Sequence, residues 1–228
     1  MKQITQHLYQ IPLGSVNTFL IEDNGLTLID TGFKNSRDKI FQAIRNGGKN
    51  PDDIKQIILT HSHPDHSGSV ADIKGTLEVP VYAHPDDAIL VEAGIGGRLP
   101  HQPSPGLANW IIYRIFIKDS PNETEMCRID ERIQDGDILP IAGGIEVIHT
   151  PGHSKGHLSL LLKKERLLIA GDICANMFGL DFSTVYEDRQ LGIQSILKAA
   201  AYDFDTAVFG HGKPLIGNAN AKLKQKFS

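Results

Sequence analysis

Only two cysteines, Cys127 and Cys174, occur in the 228-residue chain, which excludes a small scaffold held by several disulfides. A chain of this length buries enough of its surface to need no such staples, and so sparse a cysteine content points to a reducing compartment. The first twenty residues lack the basic start, apolar run and small-residue cleavage site of a secretory signal, so a cytoplasmic protein is expected. Long apolar runs are missing as well. The most apolar window, Leu107 to Ile117, is interrupted by Asn109 and Arg114 and falls short of the ~20 residues of a membrane span. Blocks of one charge are also absent: 23 Lys and Arg stand against 27 Asp and Glu, for a net charge of −4. That balance lacks the basic footprint of a nucleic-acid binder. The expected partner is a small-molecule substrate, with no nucleic acid and no membrane.

What is present is a series of short apolar runs separated by local turns, with no internal repeat. Val16 to Ile21 and Leu26 to Asp30 flank Asn24-Gly25 and read as a hairpin. Ser36 is placed to cap a helix carrying Ile40, Phe41 and Ile44, which Gly47 would end. Gln56 to Thr60 reads as a buried strand, and His61 to Gly68 as a loop leaving its end. Pro85 to Ala93 reads as a helix with proline in its first turn. Strands are expected at Ile145 to His149, Leu158 to Leu162, Leu167 to Ala170 and Thr206 to Phe209, with a helix from Arg189 to Ala201. This mixture predicts a single α/β domain over 1–228, with two packed sheets covered by helices. Residues from about 94 to 127 break the rhythm and read as an insertion.

Five of the ten histidines follow apolar strands, all but His61 beside Gly, Pro or Asp: His61, His63, His66, His153 and His211. Side chains converge at strand ends. In Thr60-His61-Ser62-His63-Pro64-Asp65-His66 the first two histidines lie two apart and project to one side of an extended chain, so both can hold one metal. Pro64 is expected to bar a regular helix, leaving a loop that offers Asp65 and His66 to a second metal. Asp172 ends another apolar strand, and its two oxygens can bridge two cations ~3.5–4 Å apart. Taken singly, each residue has an ordinary use as a turn former, surface histidine or core histidine. Together they would form a costly buried cluster without a cation to compensate them. Imidazole with carboxylate suits zinc, and also manganese or iron. His7, His84, His101 and His149 read as structural, and Cys174 as a buried, inert thiol.

These motifs resemble the metallo-β-lactamase fold superfamily. Asp30-Thr31-Gly32, the HxHxDH run at His61, His63, Asp65 and His66, a Pro-Gly-His at His153, Gly-Asp at Asp172 and Gly-His at His211 follow the family's order over nearly the whole chain. The resemblance implies an αββα sandwich of two mixed β-sheets flanked by helices, and two divalent metal ions. It assigns His61, His63 and His153 to one metal, Asp65, His66 and His211 to the other, and Asp172 to both. Asp30 and His157 are expected behind the ligands, orienting them. The site is similar to the glyoxalase II and lactonase branch, although Ile173-Cys174-Ala175-Asn176 replaces the Gly-Cys-Gly-Arg segment of glyoxalase II.

The implied chemistry is hydrolysis of an ester, lactone or thioester carbonyl by a metal-bridging hydroxide, whose water ionises at a pKa of about 7. Asp65 is placed to take the proton afterwards. The alternatives are an iron-dependent oxidoreductase of the same fold, a phosphodiesterase, and a metal-bearing binding protein. The insertion has too many large apolar residues to lie bare in water. Trp110, Tyr113 and Phe116 are expected to line an apolar substrate pocket, to form a homodimer interface, or simply to complete the core.

Overall fold

The structure, a computed structural model, describes residues 1–228. Strands β1 (Lys2–Gln3), β2 (Leu8–Pro12), β3 (Asn17–Glu22), β4 (Leu26–Ile29), β5 (Ile54–Ile58), β6 (Val81–Ala83) and β8 (Glu131–Arg132) form one seven-stranded sheet in that order. Pairing is antiparallel from β1 to β4 and parallel from β4 onward. A second sheet runs β15 (Leu215–Ile216), β14 (Thr206–Val208), β12 (Leu167–Ile169), β11 (Leu158–Leu162), β10 (Ile145–His149) and β9 (Ile138–Leu139). Two short strands, β7 (Gln102–Pro103) and β13 (Val185–Tyr186), pair with each other.

The two-residue period of the strands sorts their side chains into layers. Phe19, Ile21, Ile29 and Ile58 of the first sheet meet Val147, Leu158, Leu160 and Ile169 of the second in a buried seam. Their sequence neighbours face outward and are buried too. Leu20, Leu28 and Ile57 pack under Ile40, Phe41 and Ile44 of α1 (Arg37–Asn46). On the far side, Ile148, Leu161 and Leu168 pack under α6 (Arg189–Ala200) and α7 (Ala219–Phe227). Each fully buried Leu or Ile contributes about 1.5–3 kcal/mol, so both faces of each sheet must be covered, and the αββα arrangement follows. No helix is long and apolar enough to cross a membrane.

Several local expectations are corrected. Pro64 starts a one-turn helix, α2 (Pro64–Ser67), and does not prevent one; proline fits the first helical position because that N–H has no intrahelical partner. Ser36 precedes α1 without a side-chain cap, and its N–H donates to Ser69 Oγ at 2.8 Å. Gly47 does end α1 as its C-cap, as expected, and Gly48 follows it with a left-handed φ of +76°. Two further helices, α3 (Val70–Leu77) and α4 (Pro85–Ala93), follow. The insertion forms α5 (Leu107–Ile112), which widens into a π-type turn over Tyr113–Ile117. It does not complete the core. Trp110 and Phe116 are 58% and 69% exposed, Leu107 and Ile115 are also exposed, and Tyr113 is half-buried. Nothing within this chain covers that apolar helix.

Candidate metal centre

The predicted ligands converge at one end of the strands. His61 and His63 follow β5, Asp65 and His66 ride on α2, His153 follows β10, Asp172 follows β12 and His211 follows β14. One donor atom each from His61, His63 and His153 lies within 4.8 Å of the others, as do those of His61, His66 and Asp172 and those of Asp65, His66 and His211. Asp172 sits between the groups: Oδ2 is 3.6 Å from His153 Nε2 and 3.1 Å from His211 Nε2, and Oδ1 is 3.6 Å from His66 Nε2. The cluster is buried except at one side, where the Asp65 and His211 side chains are 22% and 20% exposed. That side is its mouth.

Hydrogen bonds behind the cluster fix which nitrogen each imidazole offers. Asp30 takes a left-handed backbone conformation, φ +60°, which costs a non-glycine residue energy. Its carboxylate accepts from Thr60 N at 2.8 Å, Thr60 Oγ1 at 2.8 Å and His66 Nδ1 at 2.9 Å. Thr60 Oγ1 in turn lies 2.9 Å from His61 Nδ1. With its own hydrogen given to Asp30, that oxygen accepts from His61. His153 Nδ1 donates to the Val185 carbonyl at 2.8 Å and His211 Nδ1 to that of Ser15 at 2.7 Å. The Nε2 atoms of His61, His66, His153 and His211 are therefore the nitrogens turned toward the cluster. Those of His61, His63, His66 and His153, with Asp172 Oδ1, are buried and lack any hydrogen-bond partner. Buried polar atoms are almost always paired, so four converging imidazole nitrogens and a carboxylate oxygen fit divalent cations.

His157 is different. Its Nε2 accepts the Asp172 backbone N–H at 2.8 Å, and its Nδ1 meets Thr150 Oγ1 at 2.8 Å. Both nitrogens are engaged, so it orients Asp172 without being free to ligate. Burial, partly opposed by Asp172, pulls its pKa down to about 3, consistent with a neutral acceptor. The loop also demands small residues: a Cβ on Gly171 would stand 2.5 Å from His157 Nε2.

Charge divides the cluster in the metal-free chain. Burial and neighbouring imidazoles hold His61 and His153 well below the ordinary histidine value. Burial would also lower His66, but Asp172, Asp65 and Asp30 push it up to about 10. His211 is raised against its burial by Asp172 and Asp65. The two carboxylates, which burial alone would raise, are held low by His66 and His211. Protons thus balance the carboxylates on the Asp65, His66 and His211 side, whereas the three-histidine side is neutral.

The structure adds residues that the spacing did not single out. His101, read as structural, lies in the insertion with its ring 5.3 Å from that of His63 and its buried Nε2 unpartnered. Beside it, a Cβ on Gly97 would stand 2.8 Å from His63 Cδ2 and 3.0 Å from Nε2. Gly97→Ala should displace His63 and weaken zinc binding by the three-histidine group about 10-fold or more; zinc titration against a chromophoric chelator measures it, and unchanged affinity would show that the ring yields freely. Asp87 is buried and bonded to both histidine loops, although in sequence it is only an acid in the first turn of a helix. Cys174 is fully buried in the outer core under α6 and α7, as expected of an inert thiol. His84 and His149 stack at 4.1 Å and His7 pairs with Glu165, all apart from the cluster.

The family described as the metallo-beta-lactamase superfamily matches residues 11–211. A probable metallo-hydrolase of Bacillus subtilis, YflN, is 26% identical over 211 residues, covering 86% of this chain and 78% of that protein. An atrochrysone carboxyl ACP thioesterase of Pseudocercospora fijiensis is 26% identical over 216 residues, covering 93% of this chain and 52% of that protein. The solved structure of the metallo-beta-lactamase MIM-1 from Novosphingobium pentaromativorans is similar in fold, with a TM-score of 0.74 at 20% identity over 99% of this chain and 86% of that one. Two sheets between helices, a cluster of histidines and aspartates at their strand ends and a family match across both halves agree: the chain belongs to the metallo-beta-lactamase superfamily.

Proposed function

We propose that the chain is a dinuclear metal-dependent hydrolase of an ester, lactone or thioester. The observation that carries this is the set of buried, unpartnered Nε2 atoms on His61, His63, His66 and His153 facing Asp172. His61, His63 and His153 would hold one divalent cation, Asp65, His66 and His211 the other, and Asp172 both. Zinc is the first expectation, with iron or manganese compatible with the donors. When bound, such ions activate water near neutral pH and polarise a carbonyl oxygen. The protein supplies orientation: Asp30, Thr60 and His157 hold ligands in place, and burial excludes water from all but the mouth. Asp65, on that exposed side, is placed to accept a proton during turnover. The likeness to a thioesterase supports an acyl substrate. Metal analysis of the purified protein, coupled to lactone, thioester, phosphodiester and β-lactam substrates, tests the proposal. No bound metal, or turnover of the phosphodiester alone, would overturn it.

The apolar insertion is proposed to wall the substrate site. Its strand β7 pairs with β13, whose Val185 carbonyl holds His153, so α5 is tethered to the metal cluster's edge. Trp110, Tyr113 and Phe116 would then receive an apolar acyl arm, as binding sites combine few polar groups with apolar walls. Trp110→Ala should raise KM several-fold more for long-chain than for short-chain acyl esters. An equal change for both would defeat the pocket, and conversion of a dimer to a monomer on size-exclusion chromatography would favour a homodimer interface.

A further inference from the structure

We propose that Asp87 is a positioning residue that sets the distance between the two loops bearing His61, His63 and His153. It stands in the first turn of α4, outside the ligand set, yet it is only 1% exposed. Oδ2 accepts from Ser62 N at 3.0 Å and from Ser154 Oγ at 2.6 Å. Oδ1 accepts from Gly156 N at 2.9 Å and Arg98 Nη1 at 3.1 Å. Ser62 separates the two histidines of the first loop, and Ser154 directly follows His153. One carboxylate therefore joins both halves of the three-histidine group through side-chain and backbone donors.

The geometry leaves little freedom. A Cβ on Gly156 would come within 2.6 Å of Asp87 N and 2.7 Å of Oδ1, so the second loop is pressed directly on the carboxylate. Arg98, from the insertion, balances the charge and lies 3.5 Å from Glu187 Oε1. Glu187 accepts from Lys155 N at 2.8 Å and gives its own N–H to the His153 carbonyl at 3.2 Å. The same network thus clasps the His153 loop from its other side. No bond of Asp87 reaches Asp65, His66 or His211, so its influence should fall on one metal group only.

This inference rests on the proposed metal centre, and its test is selective binding. Asparagine keeps the shape of Asp87 but replaces one accepting oxygen with an NH2 group, which in either orientation faces two hydrogen-bond donors. In zinc and cobalt titrations of the full chain, Asp87→Asn should weaken the three-histidine group about 10–100-fold while binding by the Asp65, His66 and His211 group stays unchanged. The milder Ser154→Ala, which removes one of the four bonds, should shift the same group in the same direction and serves if Asp87→Asn does not fold. Unchanged binding in these variants would overturn the inference. So would equal weakening of both groups in step with a lower melting temperature, the mark of a merely structural role. A wild-type chain that binds neither metal would overturn the metal centre itself.

Discussion

Replacing Asp65 by alanine should lower kcat about 10³-fold, equivalent to about 4 kcal/mol of barrier, while the circular dichroism spectrum stays that of the wild type. The side chain lies at the mouth of the cluster, with Oδ2 3.2 Å from His211 Nε2 and 3.7 Å from His66 Nε2. It makes no contribution to either sheet or to the apolar layers. Its loss removes a proposed metal ligand and the proposed proton acceptor together. Steady-state kinetics on metal-loaded protein, with metal content measured alongside, checks this. Unchanged turnover at full metal loading would refute both roles, and loss of folding would assign the residue to a structural metal site.

Stripping the metal with a chelator should abolish turnover and leave a protein whose stability falls as pH rises from about 6.5 to about 10. In the metal-free chain His66 is raised to about 10 by Asp172, Asp65 and Asp30 against its burial, and His211 is raised by the same carboxylates Asp172 and Asp65. Unfolded histidine titrates near ~6.5. A histidine whose folded pKa is raised stabilises the fold fully below that value, and the contribution disappears as pH climbs through the folded pKa. Asp65 and Asp172 are shifted the opposite way, so their contribution is present above ~3.9 and is lost on acidification. Below ~6.5 the unfolded chain takes up protons that the buried, neutral His61, His153 and His157 do not, so the metal-free melting temperature should be highest near pH ~6.5. Zinc must displace the protons on His66 and His211, so its affinity for that side should rise with pH, whereas His61 and His153 are already neutral. Thermal melts with and without zinc across this range provide the measurement. A metal-free melting temperature that rises from pH 6.5 to pH 10 would contradict the ion-pair arrangement.

The convergence of the candidate ligands was legible because it depends on short-range spacing and strand ends. His61 and His63 share a side through the two-residue period of an extended chain, and apolar runs such as Ile145–His149 and Leu167–Ile169 mark where His153 and Asp172 emerge. The double-sided burial of Leu158–Leu162 likewise follows from five residues that are nearly all leucine. Other features depend on contacts between distant segments. The sequence sets His157 behind the ligands, but the physical reason is tertiary: the Asp172 N–H, brought in from another strand, occupies His157 Nε2 while that of His153 stays free. Asp87 looks like any acid at a helix start until the loops at Ser62 and Ser154 close on it. The exposure of Trp110 and Phe116 was equally hidden, since a sequence records that a side chain is apolar but not whether a neighbour reaches it. Periodicity and spacing are local properties of a covalent chain, so the sequence alone determined the layers and which histidines and aspartates meet at the strand ends. Tautomer, burial and the bracing of one loop against another are set by groups far apart in the chain, and only the tertiary structure decided them.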